Sequence, residues 1–119
     1  MILDGAGLQR AARAAAGELR GVTSGRPFVA KLEVYKVAGK VFLIVTDDPD
    51  ERIVTVKAEP DRARALQQEH SAITPGRYLD KRHWISVGPG PQITAKLVKN
   101  LVVFSYDLVL DGVPRDQWP

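Results

Sequence analysis

The spacing of apolar residues predicts a helix over residues 4–20. One stripe at helical spacing contains Leu8, Ala12, Ala15 and Leu19. The run between them is rich in alanine, the best helix former. Three arginines lie away from the stripe and form either a phosphate-facing row or an ordinary solvated helix face. These residues are Arg10, Arg13 and Arg20.

Residues 93–110 carry a second helical pattern with a broad apolar face. Its members are Leu97, Val98, Leu101, Phe104, Leu108 and Val109. Val103, Tyr106 and Leu110 lie outside this arc. We expect them to contact a sheet edge, to contact a second subunit, or to be exposed to solvent. A shorter helix is predicted from Glu59 to about residue 70, because proline and acidic residues suit a helix start.

Between the helices the pattern changes to that of strands. Alternation predicts a strand over residues 29–37, and a turn at Gly39 and Lys40 leads to a second strand over residues 41–46. The second strand is apolar on both faces, which indicates cover on both sides or an interface. Residues 53–57 return as a third strand.

An acidic turn separates the second and third strands. Its carboxylates are Asp47, Asp48, Asp50 and Glu51. Calcium loops need ligands at alternating positions and a glycine at the sharp bend, and this turn has neither. We therefore interpret it as a solvated hairpin loop and predict no metal site.

Residues 73–87 concentrate the most distinctive side chains. Residues 74–77 read Thr-Pro-Gly-Arg and predict a type II turn, in which glycine supplies a positive φ. Residues 83–87 predict a fourth strand, and the Gly-Pro-Gly-Pro run at 88–91 predicts a loop. The resulting order is α-β-β-β-α-β-α. Short turns favour antiparallel pairing, so we predict an α+β fold with helices packed on one face of a single antiparallel sheet.

Length and composition fit one soluble globular domain. The chain has 119 residues, of which 45% are hydrophobic and 26% charged. No apolar run approaches the roughly 20 residues that span a bilayer, and no secretion signal precedes the first helix. The absence of cysteine excludes disulfides and thiolate sites. We therefore expect a cytoplasmic protein without a membrane partner.

Catalytic signals are missing from the sequence. The histidines are His70 and His83, too few for a histidine-rich metal site. Neither a glycine-rich phosphate loop nor a nucleophile elbow is present. We therefore expect a protein that is not an enzyme and that uses no cofactor.

Basic and aromatic residues alternate in the stretch that follows the predicted turn. The candidate nucleic-acid contacts are Arg77, Lys81, Arg82 and His83. Cations neutralise phosphates and aromatic rings stack on bases, and a net charge of +3 permits a polyanionic partner. Trp84 could equally be a core anchor, His83 a partner of the turn, and Asp80 a local partner of the cations.

Three motifs resemble those of the MmcQ/YjbR family of small bacterial proteins. The first is Pro-Gly at 75–76 followed by Leu-Asp-Lys-Arg-His-Trp at 79–84. The second is Lys-Val-Ala-Gly-Lys at 36–40 with Phe42, and the third is Ser-Tyr-Asp-Leu-Val at 105–109. The resemblance covers about residues 8–114 of a single domain spanning 1–119, with residues 115–119 as an irregular tail.

The resemblance implies a CyaY-like fold, also likened to a double-wing domain, and the family's usual label of DNA-binding protein. We therefore expect binding of double-stranded DNA through its phosphates with low sequence specificity. The alternative is a module that binds a small molecule or a protein on its open sheet face, near Tyr35, Phe42 and Trp84. This alternative rests on the two-sided apolar strand.

Overall fold

A computed structural model describes residues 3–77 and 79–119. Within these residues it contains three α-helices and one six-stranded sheet. The helices are α1 (Gly5–Gly17), α2 (Pro60–Glu69) and α3 (Ala95–Asp111). The strands are β1 (Val22–Gly25), β2 (Leu32–Val37), β3 (Lys40–Thr46), β4 (Val54–Lys57), β5 (Ile73–Pro75) and β6 (Trp84–Val87). Their order is β1-β2-β3-β4-β6-β5 and every neighbouring pair is antiparallel, which confirms the predicted α+β class.

The hydrophobic core lies between one face of the sheet and the helices α1 and α3. Alternate strand residues, such as Leu43 and Val45, point to this face and form part of the core. The rings of Phe42 and Tyr106 meet edge to face, with centroids 5.5 Å apart. The opposite face carries a row of cross-strand neighbours. This row contains Val34, Ile44, Thr55 and Ser86.

Two short edge strands were not predicted. Strand β1 lies between the predicted first helix and the predicted strand over residues 29–37, and β5 overlaps the predicted type II turn. Each pairs with a single neighbour, β1 with β2 and β5 with β6. Strand β1 has no fully buried residue and β5 has only three residues, so neither carries an apolar pattern typical of a strand.

The predicted type II turn is wrong, because Gly76 lacks the positive φ that such a turn requires. The glycine is needed for close packing instead. The positive-φ glycines in the described part of the chain are Gly21 and Gly39. A Cβ atom added to Gly76 would lie 2.5 Å from the Cβ of Trp84 and 2.8 Å from its backbone carbonyl carbon. The Gly76 N–H also donates to the Trp84 carbonyl at 2.8 Å. The Pro-Gly pair therefore lets β5 end directly against Trp84.

The buried face of α3 differs from the predicted arc. Tyr106 and Leu110 are buried, and the Tyr106 hydroxyl donates to the Arg20 carbonyl at 2.6 Å. Phe104, which the pattern assigned to the apolar face, is 49% exposed, and the Arg62 guanidinium lies 4.8 Å from the centre of its ring. The apolar stripe of α3 is wider than the surface that α1 and the sheet cover, so the pattern alone misplaces its edge.

The C-terminal residues are ordered, not irregular as predicted. Residues Arg115–Gln117 form a 3-10 helix. The Trp118 indole N–H donates to the Val113 carbonyl at 2.8 Å, and the Arg115 guanidinium lies over the Trp118 ring. The tail therefore packs back on the domain. Among the described residues, no helix combines the length and apolarity needed to cross a bilayer.

Candidate nucleic-acid interface

Arg77 is tied to the acidic turn. Its backbone N–H donates to the Ser86 hydroxyl at 2.9 Å, and Ser86 lies 2.8 Å from the hydroxyl of Thr55. Its guanidinium forms an ion pair with the Glu51 carboxylate at 2.9 Å. Arg77 therefore joins the segment after β5 to the loop between β3 and β4, and a phosphate would have to compete with Glu51 for this guanidinium.

Asp80 organises the turn that precedes β6. Its carboxylate accepts the Arg82 backbone N–H at 2.8 Å and lies 3.1 Å from Nδ1 of His83. The Arg82 N–H, and after it His83, hold the pKa of Asp80 below its usual value. Asp80 therefore stays ionised at neutral pH and occupies one ring nitrogen of His83. This contact agrees with the alternative in which His83 is a hydrogen-bonded partner of the turn.

Lys81 and Arg82 are exposed and line a groove together with Arg64 of α2. We call this groove of about 240 Å³ the basic groove. Its lining residues are Pro60, Ala63, Arg64, Gln67, Pro75, Lys81 and Arg82. No carboxylate is among them. Across residues 3–77 and 79–119, no carboxylate lies within ion-pair distance of the Lys81 or Arg82 side chain.

Arg64 is the member of the basic groove that sequence reasoning missed. The helical pattern of α2 places Arg64 among solvated residues, and its guanidinium does pair with the exposed Asp61. The packing of α2 along β5 is what brings it beside Lys81 and Arg82. Because β5 itself was not predicted, nothing in the sequence indicated this juxtaposition.

Two further cations, Arg13 and Lys99, have partners elsewhere in the fold. Arg13 donates to the Glu33 carboxylate at 2.8 Å, and the same oxygen accepts the Tyr35 hydroxyl at 2.9 Å. Lys99 of α3 lies 3.5 Å from Glu18, the residue that caps the C-terminal end of α1. The three arginines predicted on the first helix therefore do not form a single phosphate-facing row, since Arg13 anchors α1 to β2 and Arg20 lies beyond the end of α1.

The acidic turn holds the neighbouring loops by ion pairs. Asp47 pairs with Arg26 at 3.2 Å and Asp48 with Lys31 at 3.5 Å, both from the loop between β1 and β2. Together with the pair between Glu51 and Arg77, these contacts give the carboxylates a structural role. No group of three potential metal-ligating side chains occurs in the described part of the chain.

The open sheet face offers little apolar surface. Tyr35 and Phe42 lie in the core on the helix side, so neither is available to a ligand on the opposite face. The apolar residues that point to the open face, Val34 and Ile44, are only 1% and 3% exposed. Neighbouring side chains thus cover the second face of β3. Trp84, half-buried at one end of the sheet, is the remaining aromatic residue of that hypothesis.

Comparisons with known proteins reveal close similarity to a bacterial group. The family model described as YjbR matches residues 17–108. The uncharacterized Escherichia coli protein YbdF is 34% identical over 116 residues, which is 97% of this chain and 95% of YbdF. The uncharacterized Escherichia coli protein YjbR is 29% identical over 82 residues, 69% of this chain and 70% of its own length.

Solved structures agree with this similarity. A Deinococcus radiodurans protein with a DUF419 domain superposes with a TM-score of 0.81 and 28% identity, covering 88% of this chain and 80% of its own. A Pseudomonas syringae protein superposes with a TM-score of 0.65 and 21% identity, covering 80% of this chain and 92% of its own. The second likeness concerns the fold alone.

Proposed function

The chain belongs to the YjbR family, and we propose that it is a non-enzymatic protein that binds duplex DNA through the phosphate backbone. The observation that supports this proposal is the basic groove. Arg64, Lys81 and Arg82 come from two different elements and converge on one open surface without a carboxylate in its lining. Lysine and arginine side chains that neutralise phosphates release counterions from DNA, and this release drives binding.

The four side chains predicted from the sequence divide into two roles. Lys81 and Arg82 contact phosphates, and Arg64 adds a third cation beside them. Arg77 and His83 position this surface instead, because neither lines the basic groove and each holds a neighbouring segment through a carboxylate, Glu51 or Asp80. Phosphate contacts fix register without reading bases, so the binding has low sequence specificity.

This role requires access to DNA, so we expect the protein in the cytoplasm.

Fluorescence anisotropy with a short duplex across a salt series tests the proposal. The test variant Lys81→Gln/Arg82→Gln removes two cations from the basic groove. The control Arg10→Gln/Lys96→Gln removes two exposed cations from α1 and α3. We expect the test variant alone to lose affinity and to lower the salt slope by about 0.9 for each lost phosphate contact.

Three outcomes would overturn the proposal. One is no binding by the unchanged protein at low salt. Another is an affinity that does not depend on salt. The third is an equal loss in the test and control variants, which would show that only the net charge of the protein matters.

A further inference from the structure

A second groove, with a volume of about 400 Å³, lies where β3 and β6 begin and β4 ends. We call it the tryptophan groove. Its lining residues are Lys40, Val41, Lys57, Trp84, Val109 and Gly112. Lys57 and Trp84 are direct cross-strand partners, so their side chains leave the sheet on the same face. None of its lining residues belongs to the basic groove.

The groove exists because two strands separate at this end of the sheet. Pairing between β3 and β4 begins at Leu43 and Val56, one residue short of Phe42 and Lys57. The Ser105 hydroxyl of α3 fills the gap between their backbones. Helix α3 ends at Asp111, and the Gly112 that caps it contributes no side chain. The volume beside Lys57 is consequently left open to a ligand.

The lining combines two positive charges with an aromatic wall. In the described residues no carboxylate lies within ion-pair distance of the Lys40 or Lys57 ammonium group, and none lines the groove. Trp84 is half-buried, and Val41 and Val109 supply apolar surface. Indole faces stack on planar rings, and ammonium groups attract phosphate or carboxylate. The volume falls in the range of small-molecule sites, roughly 300–1,000 Å³.

We propose that the tryptophan groove binds a small aromatic anion of the nucleotide class. The ring stacks on Trp84, and the anionic group lies between Lys40 and Lys57. The competing explanation is that the two lysines only stabilise the C-terminal end of α3, where cations contribute about 0.3–1 kcal/mol. If the lysines bind a ligand, replacing one of them lowers the affinity for that ligand. If they only stabilise α3, the same substitution lowers the stability of the protein alone.

Tryptophan fluorescence gives a direct test. The chain has two tryptophans, and in a Trp118→Phe variant the signal reports on Trp84. Titration with adenosine monophosphate should change this signal saturably. Adenosine, which lacks the phosphate, and inorganic phosphate, which lacks the ring, should bind more weakly. The Trp84 indole N–H resonance in the unsubstituted protein follows the same titration by NMR.

Lysine variants identify the anion contacts. We expect Lys40→Met and Lys57→Met each to weaken binding by about fivefold, the effect of one exposed ion pair. The control Lys96→Met makes the same charge change on the exposed face of α3 and should leave the affinity unchanged. The Lys81→Gln/Arg82→Gln variant should also bind adenosine monophosphate normally, which separates this proposal from DNA binding.

Several results would overturn the proposal. The proposal fails if adenosine monophosphate leaves the Trp84 signal unchanged at millimolar concentration, or if phosphate or adenosine binds as tightly as the nucleotide. Lysine variants that lower thermal stability without altering affinity would show that Lys40 and Lys57 serve α3 alone. If a DNA duplex changes the Trp84 fluorescence and adenosine monophosphate does not, the groove is a contact site for DNA.

Discussion

The Ser105 hydroxyl accepts a hydrogen bond from the backbone N–H of Lys57 at 2.8 Å. The same hydroxyl donates to the Phe42 carbonyl at 2.6 Å. Regular pairing between β3 and β4 does not reach Phe42 and Lys57. The Ser105 side chain of α3 therefore replaces the backbone hydrogen bond that would otherwise join the two strands here. Ser105 thereby satisfies two backbone groups in the interior of the domain.

Replacing Ser105 should be costly because its hydroxyl is fully buried. Ser105→Ala leaves the Phe42 carbonyl and the Lys57 N–H without their partner, and we expect a loss of about 2–3 kcal/mol in the free energy of unfolding. Urea denaturation measures this loss. The control Ser24→Ala changes an exposed serine on β1 and should shift the free energy by no more than about 0.5 kcal/mol. Similar values for the two variants would contradict the bridging role.

Gly76 should tolerate no side chain. Gly76→Ala forces the new methyl group into Trp84, and overpacking of this kind costs about 1–3 kcal/mol. The matched control is Gly25→Ala, because a Cβ at Gly25 meets nothing within 4 Å. Thermal unfolding of both variants provides the measurement. If Gly76→Ala unfolds at the temperature of the parent, the close approach to Trp84 is not what requires glycine.

These two positions show how far the sequence could predict the structure. Hydrophobic patterns, with the proline and acidic residues at the start of α2, predicted the three helices and the four central strands of the sheet. The local turn pattern gave the wrong reason for Gly76, since a Pro-Gly pair is typical of a turn whereas close approach to Trp84 depends on the tertiary fold. Similarly, nothing local separates the buried Tyr106 from the exposed Phe104.

The candidate site shows the same limit. Lys81 and Arg82 were selected from the local pattern of basic and aromatic residues, and both lie in the basic groove. Arg77 carries the same charge, but its pairing with Glu51 joins two loops that are distant in sequence. The contribution of Arg64 depends on the unpredicted strand β5. Local charge patterns thus identify candidate cations, while their partners are determined by which loops meet.

Stability should fall in alkaline solution because of Tyr35. Burial, followed by the hydrogen bond to Glu33, raises the pKa of Tyr35 to about 12. Since the unfolded chain ionises near pH 10, the stabilisation is complete below about pH 10 and is lost as pH rises toward about 12. We expect a loss of about 2 kcal/mol over that interval, measured by urea denaturation at a series of pH values.

The Tyr35→Phe variant provides the control for this prediction. It lacks the ionisable hydroxyl, so its stability should decline less steeply over the same interval. A smaller decline should remain, because burial also raises the pKa of Tyr106. If the parent and Tyr35→Phe lose stability equally, then ionisation of Tyr35 is not what destabilises the fold.

Asp80 should weaken DNA binding through its charge, since it lies between the candidate contacts and remains ionised. Asp80→Asn removes this charge but keeps an oxygen that can accept the Arg82 N–H, so the turn should persist. We expect an increase in affinity of about twofold to fivefold at low salt, as for one exposed charge contact. The increase should shrink as salt screens the interaction.

Anisotropy titrations of Asp80→Asn against Asp116→Asn measure this effect. Asp116 is exposed in the C-terminal 3-10 helix, so its substitution makes the same change in net charge outside the basic groove. A gain confined to Asp80→Asn localises the DNA to the surface around Lys81 and Arg82. An equal gain in both variants would instead indicate a response to net charge, and the basic groove would lose its special status.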